Sequence, residues 1–159
     1  MKKYKIEIKW ALIHAAMFLV WMILEKLLGF HSVKLDQQQF VAPLILIPSI
    51  IIYILALLDK RKNYRDGNTT YRNNFKSGLL LTIFMVLLTP INQFTTFHII
   101  SPDYFANAIK YSVNTGVLTE VQAEQQFNIK NYLIISVVAG LVTGIIFSAI
   151  ISLFVKSKK

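Results

Sequence analysis

The chain has 159 residues, no cysteine, a formal net charge of +9, and is 55% hydrophobic. Its mean hydropathy is +0.52. The absence of cysteine excludes disulfides, thiolate metal sites and cysteine nucleophiles. The length suits one domain, residues 1–159. A soluble domain of this size cannot bury the long apolar runs that follow. The positive charge would suggest nucleic acid if it formed a stripe or groove, but it flanks apolar segments instead.

A bilayer core is about 30 Å thick and takes ~20 apolar residues to cross as a helix. Four segments meet that requirement. The first covers 10–30. Its basic flank resembles that of a signal peptide, but Glu25-Lys26-Leu27-Leu28-Gly29-Phe30 follows the apolar run where small residues would be needed for cleavage. A retained helix is therefore predicted. The second covers 40–58 and holds Pro43 and Pro48, which bend a helix to fit its neighbours or mark a hinge or permeation path. Freed carbonyls there need partners within the protein.

The third covers 77–100 and contains Pro90, with Asn92, Gln93, Thr95, Thr96 and His98 in one half. Amides facing lipid are costly, so Asn92, Gln93 and His98 are expected to face the bundle interior. There they either bond neighbouring helices or line a shallow polar pocket. Glu25 and His31 are the other candidates for such a ligand or lipid pocket. The fourth covers 131–155 and carries Ser136, Gly140, Gly144, Ser148 and Ser152 at four-residue intervals. These stack on one face and let two backbones approach closely. The face meets either another span of this chain or a second copy.

Between the third and fourth spans, 101–130 is too polar to cross a membrane. Ser101 can cap a helix that has Pro102 at its first position and Asp103 in its first turn. Phe105, Ile109 and Val113 recur at four-residue spacing and Gly116 can end that helix. Thr119 with Gln122 makes a capping box for a second short helix ending near Phe127. The predicted fold is all-α: a four-helix transmembrane bundle with an amphipathic helical hairpin over its outer side.

Charge sets the orientation. Thirteen Lys/Arg lie on one side: Lys2, Lys3, Lys5, Lys9, the six from Lys60 to Lys76, and Lys156, Lys158 and Lys159. Four lie on the other: Lys26, Lys34, Lys110 and Lys130. The rich side is expected to be cytoplasmic, with both termini there. The loop between the second and third spans, with a turn at Asp66-Gly67-Asn68, then favours anionic headgroups.

Chemistry is sparse. His14 lies near the inner end of the first span, while His31, His98, Glu25 and Asp103 lie towards the outer side. A metal or proton site is conceivable among them. Yet Glu25 and His31 are six apart, which does not share a helix face. No metal site is assigned, and no cofactor. No phosphate-binding glycine loop, nucleophile elbow or zinc-protease pair occurs, so a non-enzymatic protein is expected. Its expected partners are membrane lipids, a second copy or another membrane protein. A small transporter or channel using the polar half of the third span is the alternative.

Four stretches carry a resemblance: Glu25 through His31, Asp59-Lys60-Arg61-Lys62-Asn63-Tyr64, Ser101-Pro102-Asp103-Tyr104-Phe105, and Ala123 through Asn128. Together they resemble domain-of-unknown-function family 4199 over nearly the whole chain. The chain departs from that pattern at Ser32-Val33-Lys34, where a more acidic stretch is expected. The resemblance implies four-helix integral membrane proteins of Gram-negative inner membranes and transfers no catalytic residues. Reporter fusions at Lys159 and within 101–130 are expected to report opposite sides of the membrane; two reports of the same side would contradict this orientation.

Overall fold

The computed structural model describes residues 4–63 and 69–157. Lys2, Lys3, Tyr64, Arg65, the turn at Asp66-Gly67-Asn68, Lys158 and Lys159 lie outside the described residues. Helices dominate, and no strand occurs among the described residues. They are α1 (Lys5–Leu27), α2 (Leu35–Val41), α3 (Leu46–Lys62), α4 (Tyr71–Thr95), α5 (Tyr104–Asn114), α6 (Glu120–Gln126) and α7 (Ile129–Val155). A 3-10 turn, Ala42–Ile45, joins α2 to α3, and a π turn, Thr96–Ile100, extends α4.

Four helical stretches are long and apolar enough to cross a membrane: Lys5–Leu27, Leu35–Lys62, Tyr71–Ile100 and Ile129–Val155. They are longer than the apolar runs alone suggest. The first begins at Lys5, not at 10, because the charged residues ahead of Trp10 join the helix and two of them, Glu7 and Lys9, direct their charges to partners. The second begins at Leu35, ahead of Pro43. That proline sits in the 3-10 turn and Pro48 in the first turn of α3, where a missing N–H costs little.

The chain packs as two units. The first takes the described residues of Met1–Ala16, Leu46–Leu88 and Val137–Lys159. Ala11, Ile52, Tyr53, Ala56, Leu57, Leu81, Ile151 and Val155 form its buried apolar centre. A close contact joins α4 to α7. A Cβ added at Gly78 would lie 2.6 Å from Ser148 Oγ, and one at Gly140 would lie 3.3 Å from Val86 Cγ2. At Gly144 it would collide with Thr82 and come within 2.7 Å of the Tyr53 hydroxyl. The partners thus step by four along each helix in opposite directions, so α4 and α7 run antiparallel with small residues facing larger ones. The hydroxyls in this seam are used locally. Ser148 donates to the Gly144 carbonyl at 2.6 Å, Thr82 donates to the Gly78 carbonyl at 2.9 Å, and Tyr53 meets Thr82 Oγ1 at 2.7 Å.

The same unit anchors the first turns of α1. Lys9 and Trp10 Nε1 both donate to Asp59, the indole at 2.8 Å. Buried Glu7 accepts from Ser77 at 2.6 Å and pairs with Lys60 at 2.9 Å. His14 lies 3.2 Å from Ser49 Oγ.

The second unit takes Met17–Ile45 and Thr89–Ser136. Phe97, Tyr104, Phe105 and Tyr132 form an aromatic cluster with centroids 4.4 to 5.8 Å apart. Such pairs contribute beyond their burial. Thr119 and Gln122 cap α6 reciprocally, and Ala108, Ser112 and Ala123 are the buried residues of α5 and α6. One cap differs from expectation. Asp103, not Ser101, occupies the N-cap position of α5 and makes no side-chain capping bond. The Ser101 hydroxyl is engaged elsewhere, by His31.

The α4–α7 seam yields a comparison. Gly144→Leu forces a side chain into Thr82 and Tyr53 and is expected to destabilise the first unit by about 1–3 kcal/mol or more. Leu141→Ala trims an exposed side chain on the same helix and should lower the thermal midpoint in detergent by much less. Equal midpoints would contradict close backbone packing at Gly144.

Candidate functional site

The most connected polar cluster of the second unit begins on α1. Trp21 and Glu25 are four residues apart, so they share a face. The indole Nε1 donates to Glu25 Oε1 at 2.5 Å. The helix then stops at Gly29, which takes φ +86°. The Gly29 N–H bonds the Lys26 carbonyl and the Phe30 N–H bonds the Glu25 carbonyl, a Schellman ending. Any side chain at Gly29 would strain that φ, and its Cβ would also approach Val33 Cγ2 to 3.0 Å.

This reversal brings together two residues that helical spacing keeps apart. His31 Nε2 lies 3.2 Å from Glu25 Oε2, and His31 Nδ1 lies 2.7 Å from Ser101 Oγ. The expectation that six-residue spacing separates Glu25 from His31 is corrected here: α1 has ended before His31, so helical periodicity does not govern it. With Nε2 protonated and donating to the carboxylate, Nδ1 accepts the Ser101 hydroxyl proton. Asn107 Nδ2 donates to the His31 carbonyl at 3.1 Å. Glu25 is 2% exposed and His31 and Ser101 are each 4% exposed. Buried polar groups of this kind are costly unless satisfied, and here each has a partner.

Beside the imidazole stands Tyr104, edge-on with centroids 5.2 Å apart. Its hydroxyl donates to Gln38 Oε1 at 3.0 Å and lies 3.0 Å from the Tyr132 hydroxyl. Burial pushes the Tyr104 phenol above its ordinary value, so it remains a neutral donor.

The remaining predicted residues divide. Asn92 and Gln93 are both buried. Gln93 donates to Ser136 Oγ at 2.6 Å, which joins the end of α4 to the start of α7 within this unit. His98 does not turn inward. It is exposed, stacks on Phe94 at 4.3 Å, and contacts the Phe94 carbonyl at 3.2 Å. The cause is helical spacing: His98 stands four residues after exposed Phe94, on the face opposite Asn92 and Gln93, and the buried face continues through Thr96, Phe97 and Ile100. His98 is therefore not brought to Glu25 and His31. Ser136 bonds Gln93, whereas Gly140, Gly144 and Ser148 line the seam of the first unit and Ser152 is buried there.

Ser101, His31 and Glu25 have the composition of a catalytic triad. Their arrangement differs. In a triad the ring nitrogen facing the serine is Nε2 and the one facing the acid is Nδ1; here the two are exchanged. A nucleophile also needs exposure at a sharp turn, and Ser101 is buried. The cluster is built to hold the segment after α1 against the start of α5. Among the described residues no three His, Cys, Asp or Glu side chains come together as metal ligands.

Sequence reasoning did not include Trp21, Ser101 or Tyr104 in this cluster. The Trp21–Glu25 spacing was a legible signal. The Ser101 contact spans seventy positions and had none.

Ser101→Ala would leave His31 Nδ1 buried without a partner, and Trp21→Phe would do the same to Glu25 Oε1. Each is expected to cost about 1–3 kcal/mol, read as a lower thermal midpoint in detergent. Unchanged midpoints in both would show that the cluster does not hold the fold.

The family model described as "Protein of unknown function (DUF4199)" matches residues 9–157. No curated protein and no solved structure matches the chain.

Proposed function

Starting from the fact that the chain belongs to the DUF4199 family, we propose that it is a non-enzymatic membrane protein acting through its contacts with lipid. One observation carries this reading. Across the four apolar stretches only 11% to 33% of the most apolar window is buried inside the chain. The rest is half-buried or exposed, with Leu27 75% and Phe154 81% exposed. The polar groups named above are meanwhile taken up by one another. Glu25, His31, Ser101 and Gln93 are occupied as fastenings, which leaves them poorly placed to handle a transported ion or a reacting substrate.

The membrane is the inner membrane of a bacterium, with both termini in the cytoplasm. The distribution of Lys and Arg supports that orientation, since basic residues are retained on the cytoplasmic side.

The test is purification in mild detergent followed by identification of retained lipid. The protein is expected to carry phospholipid through size exclusion and to lose thermal stability when it is stripped. Binding lipid to the folded state raises the midpoint by mass action, so adding phospholipid back should restore it. A stripped protein with an unchanged midpoint and no response to added lipid would overturn this reading.

A further inference from the structure

The first unit contains a cavity of about 470 Å³ at the ends of three membrane-length helices. That size falls in the ~300–1,000 Å³ range of small-ligand sites. Glu7 enters from the first turn of α1, Lys60 from the last turn of α3, and Asn74 and Ser77 from the first two turns of α4. Thr69 completes the wall just before α4. Its backbone is fixed by two bonds to Ser157: the Thr69 N–H donates to Ser157 Oγ at 2.9 Å, and the Ser157 N–H donates to the Thr69 carbonyl at 3.0 Å.

The wall contains groups that the protein does not satisfy. Asn74 is 1% exposed, and neither its Nδ2 nor its Oδ1 has a hydrogen-bond partner among the described residues. Thr69 Oγ1, in a residue 4% exposed, lacks one too. Buried polar atoms are nearly always paired, so an unpaired amide and hydroxyl in one cavity wall point to an occupant. Asn74 needs an acceptor for its N–H₂ and a donor for its carbonyl.

Charge narrows the choice. Glu7 is already satisfied by Ser77 and Lys60, so it asks for no ammonium group. Of the charged lining residues among those described, Lys60 and Lys76 stand against Glu7 alone, which leaves one positive charge. A monoanion balances it, and a phosphate monoester would overshoot. Helix ends of membrane-spanning length place the cavity at headgroup level, where basic residues draw anionic lipid.

We propose that this cavity binds a monoanionic phosphodiester carrying a free hydroxyl, as in a glycerol-type phospholipid headgroup or a soluble glycerol phosphodiester. The phosphoryl oxygens accept from Asn74 Nδ2, Thr69 and Lys76. The ligand hydroxyl donates to Asn74 Oδ1. This rests on the lipid-contact reading and names the headgroup.

The experiment titrates phosphatidylglycerol, phosphatidylcholine and soluble glycerophosphoglycerol into the purified full chain in detergent, following the thermal midpoint. Wild type is expected to bind phosphatidylglycerol roughly tenfold or more tighter than phosphatidylcholine. Asn74→Leu and Thr69→Val should each lose most of that preference. Both variants remove an unpaired buried group, so their ligand-free midpoints should not fall. A response to glycerophosphoglycerol alone, abolished by Asn74→Leu, would assign the site to the soluble compound. Lipid binding with equal affinity for both headgroups, or unaffected by both substitutions, would overturn the inference and leave lipid contact standing. No response to any phospholipid or to glycerophosphoglycerol would overturn both.

Discussion

Polar side chains on helices that cross a membrane must find their partners within the protein, because the hydrocarbon offers none. The two packed units both follow from that constraint. In the second, Glu25 is covered by Trp21 and His31, and Gln93 by Ser136. In the first, Thr82, Tyr53 and Ser148 direct their hydroxyls to each other or to their own helix backbone. Satisfying these groups internally leaves the outward faces of the long helices almost wholly apolar.

Close approach is the second requirement. Lipid tails are as apolar as leucine, so helices associate through packing and polar contacts, with no hydrophobic drive between them. The α4–α7 seam meets this with Gly78 opposite Ser148 and Gly144 opposite Thr82. Small residues there do more than fill space: they bring α7 near enough for the Tyr53–Thr82 pair to form the other wall. Among the first unit's unpaired buried polar atoms, those of Asn74 and Thr69 share the wall of one cavity, whereas Ser152 Oγ stands apart as a lone hydroxyl. What distinguishes that cavity is two unpaired residues in one wall, an amide at both its atoms and a hydroxyl.

Much of the fold was legible because it depends on local rules. Apolar run length located the spans, and the Thr119–Gln122 spacing located the start of α6. The four-residue repeat from Ser136 to Ser152 is legible as one helix face, and Gly140, Gly144 and Ser148 of it lie against α4, whereas their counterpart Gly78 is a lone glycine with no pattern around it. Part of what escaped is a departure from helical period. Gly29 ends α1 and carries His31 back to Glu25, which an argument that counts in steps of 3.6 does not see. His98 is the opposite case: the same count puts it with Phe94 on the outward face, away from Asn92 and Gln93. Ser101 reads locally as a cap, but its hydroxyl goes to a histidine seventy positions away. The cavity escaped for a similar reason. Glu7, Asn74 and Thr69 look like flanking polar residues, and only the packing of three helix ends places them together.

The central claim is that this chain turns its polar residues inward and its apolar ones to lipid. The segment from Ile91 to Phe94 tests it most directly, since Asn92 and Gln93 are buried while Ile91 and Phe94 are 62% and 55% exposed. The chain has no native cysteine, so single cysteines can be placed at these four positions and spin-labelled in liposomes. Collision with dissolved oxygen, which concentrates in the bilayer core, then reports exposure to lipid. The account predicts high oxygen accessibility at 91 and 94 and low accessibility at 92 and 93; equal values at all four, or the reverse pattern, would contradict it.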